Sequence, residues 1–386
     1  MMIELLISTA IMMLITGVML TLMGPVQGIF QAQPEVSDMQ QRLRVGVDAL
    51  AKDLIMAGAG TYVGPSAAAL NSVFAPVLPY RVGDVNDDRA RNVLYRPDTI
   101  SIMYVPPSPS QTTTADAMTT TATQVRLAAQ SSCPPGTPRS LCEIRAGMRL
   151  LIFESHGRRD LLTVTRVEDD SLHFEHDGAL SVPYAQGSSV ARISMHTYYL
   201  KSDVSTRTFQ LMHYDGIETD VPVTDHIVDV TFQYFGDPVP PMRLSEKPLD
   251  GKGPWTTYGP KPPDPAEDNA PWPSGENCVF VFDPATGAHA PRLPVLGAGG
   301  SVPLTEAMLT DGPWCPDAMA RDRFDADLLR IRRIRVKLRV QVAQESLRGP
   351  AGPLFARGGT FNGATRLVPD QQIQFDIAPR NMNLGR

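Results

Sequence analysis

Compact catalytic signatures are missing from this sequence. It has no Gly-x-Ser-x-Gly, no phosphate-binding P-loop and no His-Glu-x-x-His. Those gaps exclude the short motifs of acyl-transfer, nucleotide and zinc-peptidase chemistry, though a triad scattered along a chain leaves no such trace. Gly58-Ala59-Gly60 follows a helical pattern rather than a strand, so it is no dinucleotide loop. Tight Cys-x-x-Cys pairs are also missing, which removes the common structural zinc sites. Excess positive charge is absent: 35 Lys and Arg stand against 41 Asp and Glu, a net charge of -6. That balance offers nothing to nucleic acid. Cysteine is scarce, with only Cys133, Cys142, Cys278 and Cys315. Three pairings are formally open, and the short Pro-Pro-Gly loop favours Cys133 with Cys142, leaving Cys278 with Cys315. Two bridges would suit an extracytoplasmic compartment.

Two polar clusters carry metal-ligating side chains. His173, Glu175, His176 and Asp177 lie together, but strand alternation sends His173 and Glu175 to one face and His176 to the other. Asp84, Asn86 and Asp88 begin like a calcium loop. Arg89 stands where its glycine should, and Tyr95 where its bidentate Glu should. The expectation is therefore no catalytic residue, no bound metal and no cofactor.

What the sequence does contain is an N-terminus of unusual grease. Leu5 to Met23 is apolar apart from Ser8, Thr9, Thr16, Gly17 and Thr21. About 20 such residues at about 1.5 Å each span a bilayer's hydrocarbon. Glu4 heads the run, and no further charge appears before Glu35. A carboxylate at the lip of an apolar helix is costly and calls for a partner. No basic residue precedes the run and no small-residue cleavage site follows it, which argues against a cleaved secretory signal. A break is expected at Gly24-Pro25. Beyond it Met39, Leu43, Val47, Leu50 and Leu54 recur at spacings of four and three, with Arg42, Arg44, Asp48, Lys52 and Asp53 between them. That is an amphipathic helix with one buried stripe, ended by Gly58 and Gly60.

The remainder, with 35 Pro and 30 Gly in the whole chain, favours a loop-rich β domain. Alternation or apolar runs predict strands over 99–105, 124–128, 149–154, 161–167, 171–175, 190–200, 208–214, 227–235, 331–342 and 371–377. Residues 106–123 are rich in Ser, Thr and Pro and are expected to be a surface loop. In the strand 331–342, Ile334, Val336, Leu338, Val340 and Val342 take one face. Arg333, Arg335, Lys337, Arg339 and Gln341 take the other, expected to be solvated. Residues 236–323 break the rhythm and hold Trp255, Trp272 and Trp314, which mark either a contact surface or a small subcore. The divisions are thus 1–24 (membrane stalk), 25–60 (amphipathic helix), 61–235 (β-rich head), 236–323 (insertion) and 324–386 (closing strands). The fold class is α+β: a long N-terminal helix packed on an antiparallel β-rich head.

Met2-Ile3-Glu4-Leu5-Leu6-Ile7-Ser8 resembles the start of type IV pilins and type II secretion pseudopilins. Residues 42–60, RLRVGVDALAKDLIMAGAG, are similar to the second helical half of PilW-type minor pilins and J-type minor pseudopilins. Residues 161–165, 198–200, 226–234 and 329–342 resemble stretches of the same proteins in the same order, while 236–323 has no counterpart. The resemblance implies a pilin-like fold held first in a bacterial inner membrane by a single span, with its head in the periplasm. It then implies assembly, with the pilus machinery, into a filament of other pilins or pseudopilins. It gives Glu4 the role of neutralising a neighbouring subunit's N-terminal amine. Three residues precede Glu4 where the family has four, so the resemblance implies a leader and a first mature residue ahead of Met1. Gly17, Gly24 and Pro25 weaken the helix and would let the stalk unwind locally on assembly. The expected role is a minor pilin that primes or caps the filament. The alternatives are a minor pseudopilin of a type II secretion system and a tip adhesin binding through 236–323.

Overall fold

The computed structural model describes residues 2–60, 75–82, 95–107, 110–129, 144–153, 159–168, 173–177, 180, 183–203, 208–216, 219–240, 280–283, 285, 288–315, 324–344, 347–348, 368 and 370–383. One helix, α1 (Met2–Met56), leads into the β-rich head. The strands begin with β1 (Val77–Leu78), β2 (Thr99–Tyr104), β3 (Gln111–Thr113) and β4 (Gln124–Arg126). They continue with β5 (Arg149–Phe153), β6 (Arg159–Glu168), β7 (His173–Asp177), β8 (Ser189–Arg192), β9 (Ser194–Asp203), β10 (Thr208–Tyr214), β11 (Asp220–Asp225) and β12 (Ile227–Gly236). The last are β13 (Phe280–Asp283), β14 (Ala288–Pro291), β15 (Val302–Leu304), β16 (Trp314–Cys315), β17 (Phe324–Asp325), β18 (Ile331–Val340) and β19 (Gln371–Ile377).

All described pairings are antiparallel. Three larger sheets result, ordered β1-β2-β9-β10-β11, β15-β12-β18-β19 and β3-β8-β5-β6-β7-β4. The first two share one core with the C-terminal half of α1. Met39, Leu50 and Leu54 are fully buried there beside Ile102, Leu211, Phe232 and Leu338. Full burial of such a side chain contributes about 1.5–3 kcal/mol, so this stripe alone can hold the helix. Glu35 ties the helix down further up, its carboxylate accepting from the Ala343 amide at 3.0 Å just beyond β18. The six-stranded sheet encloses a second core around Leu150, Ile152, Val164, Phe174 and Tyr184. In β5, Leu151 and Phe153 join the first core while Leu150 and Ile152 join the second. A strand buried on both faces needs no polar alternation, which explains the unbroken Leu-Leu-Ile-Phe.

Several expectations need correcting. The helix does not break at Gly24-Pro25 but runs unbroken through both, and through Pro34. A proline withdraws one backbone donor and bends a helix; with helix-forming sequence on both sides it need not end it. The helix stops instead at Gly58, whose positive φ of 78° turns the chain at the C-terminal boundary. Residues 106–123 are not simply a surface loop: β3 pairs with β8, and Ser110 and Gln111 are buried. The expected strand 190–200 is two strands in different sheets. β8 belongs to the six-stranded sheet and β9 to the five-stranded one, with the switch at Ile193.

The insertion is also less separate than its composition implies. β15 pairs with β12, and Leu293, Leu304 and Leu309 are buried in the first core. The reason is hydrogen bonding as much as apolar burial. Arg330, 0% exposed, donates to the carbonyls of Pro238 at 3.0 Å and Pro294 at 2.6 Å and pairs with Asp327. Arg332 pairs with Asp237 at 2.7 Å. The start of β18 thus stitches both flanks of 241–279 to the head. Finally, the basic face of β18 is ion-paired rather than merely solvated. Arg335 meets Asp376 at 2.7 Å and Lys337 meets Asp229 at 3.3 Å, both across the sheet. Register places Asp376 opposite Arg335 and Asp229 diagonal to Lys337, which no single-strand reading shows.

Candidate functional site

Two features of α1 stand out: the end that lies exposed and the end that packs on the head. Met2–Leu20 is long and apolar enough to cross a membrane, and 0% of that span is buried in the protein. At about 1.5 Å per residue its 19 residues extend about 28 Å, close to a hydrocarbon thickness of about 30 Å. A core helix and a signal sequence can share that composition. Its exposure is unlike that of a core helix, and a membrane anchor and a signal sequence both fit the span. Leu6, Ile7, Met12, Met13, Leu14 and Leu20 are all exposed. The backbone satisfies itself by helix, and Ser8 and Thr16 donate back to the carbonyls of Glu4 at 2.6 Å and Met12 at 2.7 Å. Thr9 likewise donates to the Leu6 carbonyl at 3.0 Å, so these three hydroxyls need no water. Glu4 lies in the first turn, on an exposed part of the helix. Gly17 faces open space, with no heavy atom near its would-be Cβ.

At the other end the helix offers one acid to the sheet. Asp53 is buried, and Tyr198 Oη donates to its Oδ2 at 2.6 Å. Tyr104 Oη approaches Asp53 Oδ1 at 3.4 Å and His196 Nε2 at 3.1 Å. His196 Nδ1 lies 2.8 Å from His213 Nε2 and 3.7 Å from Asp53 Oδ2. β2, β9 and β10 are neighbours, so Tyr104, His196 and His213 come from adjacent strands of one sheet. The rings lie nearly parallel: Tyr104 with His196 at 13° and His196 with His213 at 20°. Burial pushes both imidazoles down from their ordinary pKa despite the pull of Asp53, so both stay neutral near pH 7. Burial, then Asp53, pushes Tyr104 up to about 12 and moves Tyr198 in the same direction.

No local pattern in the sequence marks this cluster. Asp53 and Tyr198 are 145 residues apart, and the two histidines 17 apart. The register sets His213 opposite Tyr198, so His196, two residues earlier on the same face of β9, is its diagonal neighbour; the available signal was two histidines in consecutive strands. His176 turns inward while His173 and Glu175 stay half-exposed on the other face, as alternation required. Asp84, Asn86 and Asp88 lie outside the described residues, as do Cys133, Cys142, Cys278, Trp255 and Trp272. Cys315 and Trp314 form β16, and Trp314 is half-buried. A second acidic group, Asp311, Asp325 and Asp327, is engaged internally. Asp325 accepts from the amides of Gly312 at 2.7 Å and Asp327 at 2.8 Å, and Asp327 pairs with Arg330.

Comparison of the chain with family models, with curated proteins and with solved structures gives no match.

Proposed function

We propose that this protein is a minor, type IV pilin-like subunit whose α1 passes from the inner membrane into a filament. The observation that carries the reading is one 55-residue helix whose apolar segment Met2–Leu20 is wholly exposed and whose C-terminal part is built into the head. Such a rod is stable only where lipid or other apolar helices surround it. Extraction from the bilayer then exchanges lipid for the stalks of neighbours. Glu4 would meet a neighbour's N-terminal amine there, the pair offsetting its own desolvation.

The test is incorporation. Glu4→Ala protein should reach the membrane and fold, yet fail to enter or initiate filaments in a piliation assay. Normal assembly of that variant would refute the role given to Glu4. A minor pseudopilin of a secretion system shares this geometry, and the same variant would then abolish secretion rather than piliation. An adhesin role for the insertion is tested by removing 241–279 alone. Removing all of 236–323 would also take β15 from its sheet and confuse the result. Retained filaments with lost adhesion would favour the adhesin reading.

A further inference from the structure

We propose that Asp53, His196 and His213 form a binding site for a borderline divalent cation of the zinc class, which pins the stalk helix to the head. The three groups each offer one ligand atom, and these atoms lie within 4.8 Å of one another. They come from three elements, α1, β9 and β10, so a cation held by all three would bridge helix and sheet.

The donor set selects the ion. Two imidazole nitrogens and one carboxylate suit zinc and its neighbours, whereas calcium and magnesium prefer all-oxygen shells. Metal–nitrogen bonds of about 2.0–2.1 Å at a tetrahedral angle set the nitrogens about 3.3 Å apart. The two here stand at 2.8 Å and need to separate by only about 0.5 Å. His196 Nδ1 and Asp53 Oδ2, at 3.7 Å, already have suitable spacing.

Orientation is settled by the surroundings. In the tautomer with the proton on His196 Nε2, that N–H donates to Tyr104 Oη, 3.1 Å away, and Nδ1 is left as a lone pair facing His213 and Asp53. Tyr104 can in turn direct its proton toward Asp53 Oδ1, so one phenol orients two ligands. Tyr198 holds the other carboxylate oxygen, leaving it a second lone pair. The imidazoles are already neutral, the form that ligates. His196 is 21% exposed, so an ion has a path in and water can complete the shell. Without a cation the His213 Nε2 proton sits between the two rings; with one, His213 carries its proton on Nδ1 instead and turns the Nε2 lone pair to the cation.

The experiment uses the full chain in detergent micelles, stripped with chelator and titrated with Zn²⁺, and with Co²⁺ as a spectroscopic substitute. One equivalent should bind in the micromolar range or tighter. The Co²⁺ bands should report nitrogen and oxygen ligands without thiolate. His196→Gln and His213→Gln keep a hydrogen-bonding side chain and should each weaken binding by more than the roughly 10–100-fold typical of losing an outer-shell partner. Tyr104→Phe, a positioning change, should weaken it by about tenfold. In the wild-type chain, Zn²⁺ should slow hydrogen exchange in residues 49–56 and in β9 and β10, a readout that needs no variant to fold. Absence of binding at micromolar Zn²⁺ overturns the proposal. So does binding that survives loss of both histidines, or protection that appears elsewhere.

Discussion

Replacing Arg330 by Met is the sharpest test of how the head is held together. The guanidinium is fully buried and makes four contacts: Asp327 and the carbonyls of Asp237, Pro238 and Pro294. Methionine fills similar volume but leaves Asp327 without its counter-charge. Breaking a buried pair from one side costs about 3–5 kcal/mol, a large part of a typical domain stability of about 5–15 kcal/mol. Asp327, already pushed up by burial and restrained by Arg330, can escape only by taking a proton. The double change Arg330→Met with Asp327→Asn removes the stranded charge. The carbonyls of Asp237, Pro238 and Pro294 lose this donor, but Pro238 still accepts from the Leu296 amide at 2.8 Å and Pro294 is exposed to water. Vacated neutral acceptors cost less than a stranded buried charge, so the double variant should be the more stable of the two. The assay is hydrogen exchange at the Leu296 amide, which reports opening of the insertion's return path. Exchange should accelerate by about two to three powers of ten in Arg330→Met and by distinctly less in the double variant. A single variant costing under about 1 kcal/mol, or a double variant worse than the single, would falsify the claim that this ion pair anchors 236–323.

Two glycines should respond in opposite directions. A Cβ at Gly236 would sit 2.7 Å from the Arg330 carbonyl carbon and 2.9 Å from Leu304 Cδ1, so Gly236→Ala should destabilise by about 1–3 kcal/mol. A Cβ at Gly46 would meet Leu338 and Leu211 at 3.5 and 3.6 Å, ordinary contact, so Gly46→Ala should stabilise by about 0.5–1 kcal/mol; chemical denaturation of both variants checks the pair, and equal effects would refute it. Burial pushes the Asp325 carboxyl up to about 7, against the downward pull of two amides. The folded state then holds this proton more tightly than the unfolded state, whose carboxyl has the ordinary value of 3.8. Its contribution to stability is full below about pH 4 and is lost as pH rises toward 7. Going from pH 7 to pH 5 should raise the melting temperature, by up to about 2 kcal/mol in stability, and Asp325→Asn should flatten that slope. A wild-type slope of opposite sign, or an unchanged slope in the variant, would remove Asp325 from the account.

Much of the architecture could be read from local pattern. Met39, Leu43, Leu50 and Leu54 bury as their spacing requires, because a helix brings residues three and four apart onto one face wherever it packs. β18 buries Ile334, Val336 and Leu338 for the equivalent reason at period two. β5 was legible as a strand but not as a strand between two cores, since an apolar run does not say what lies on either side. The candidate cation site was illegible for a related reason. Each of its residues looks ordinary alone, and only pairing of β9 with β10 beneath α1 makes them neighbours.

The sequence by itself determined the exposed apolar half of α1, the amphipathic stripe of its second half and the period of the strands. These follow from backbone geometry and the cost of wetting apolar side chains, which are local matters. Only the tertiary structure decided which acids face Arg335 and Lys337, that Arg330 closes the insertion, and that Asp53 meets two histidines. Those are contacts between residues far apart in the chain, set by which strand lies beside which, and one chain read in order carries no record of that choice.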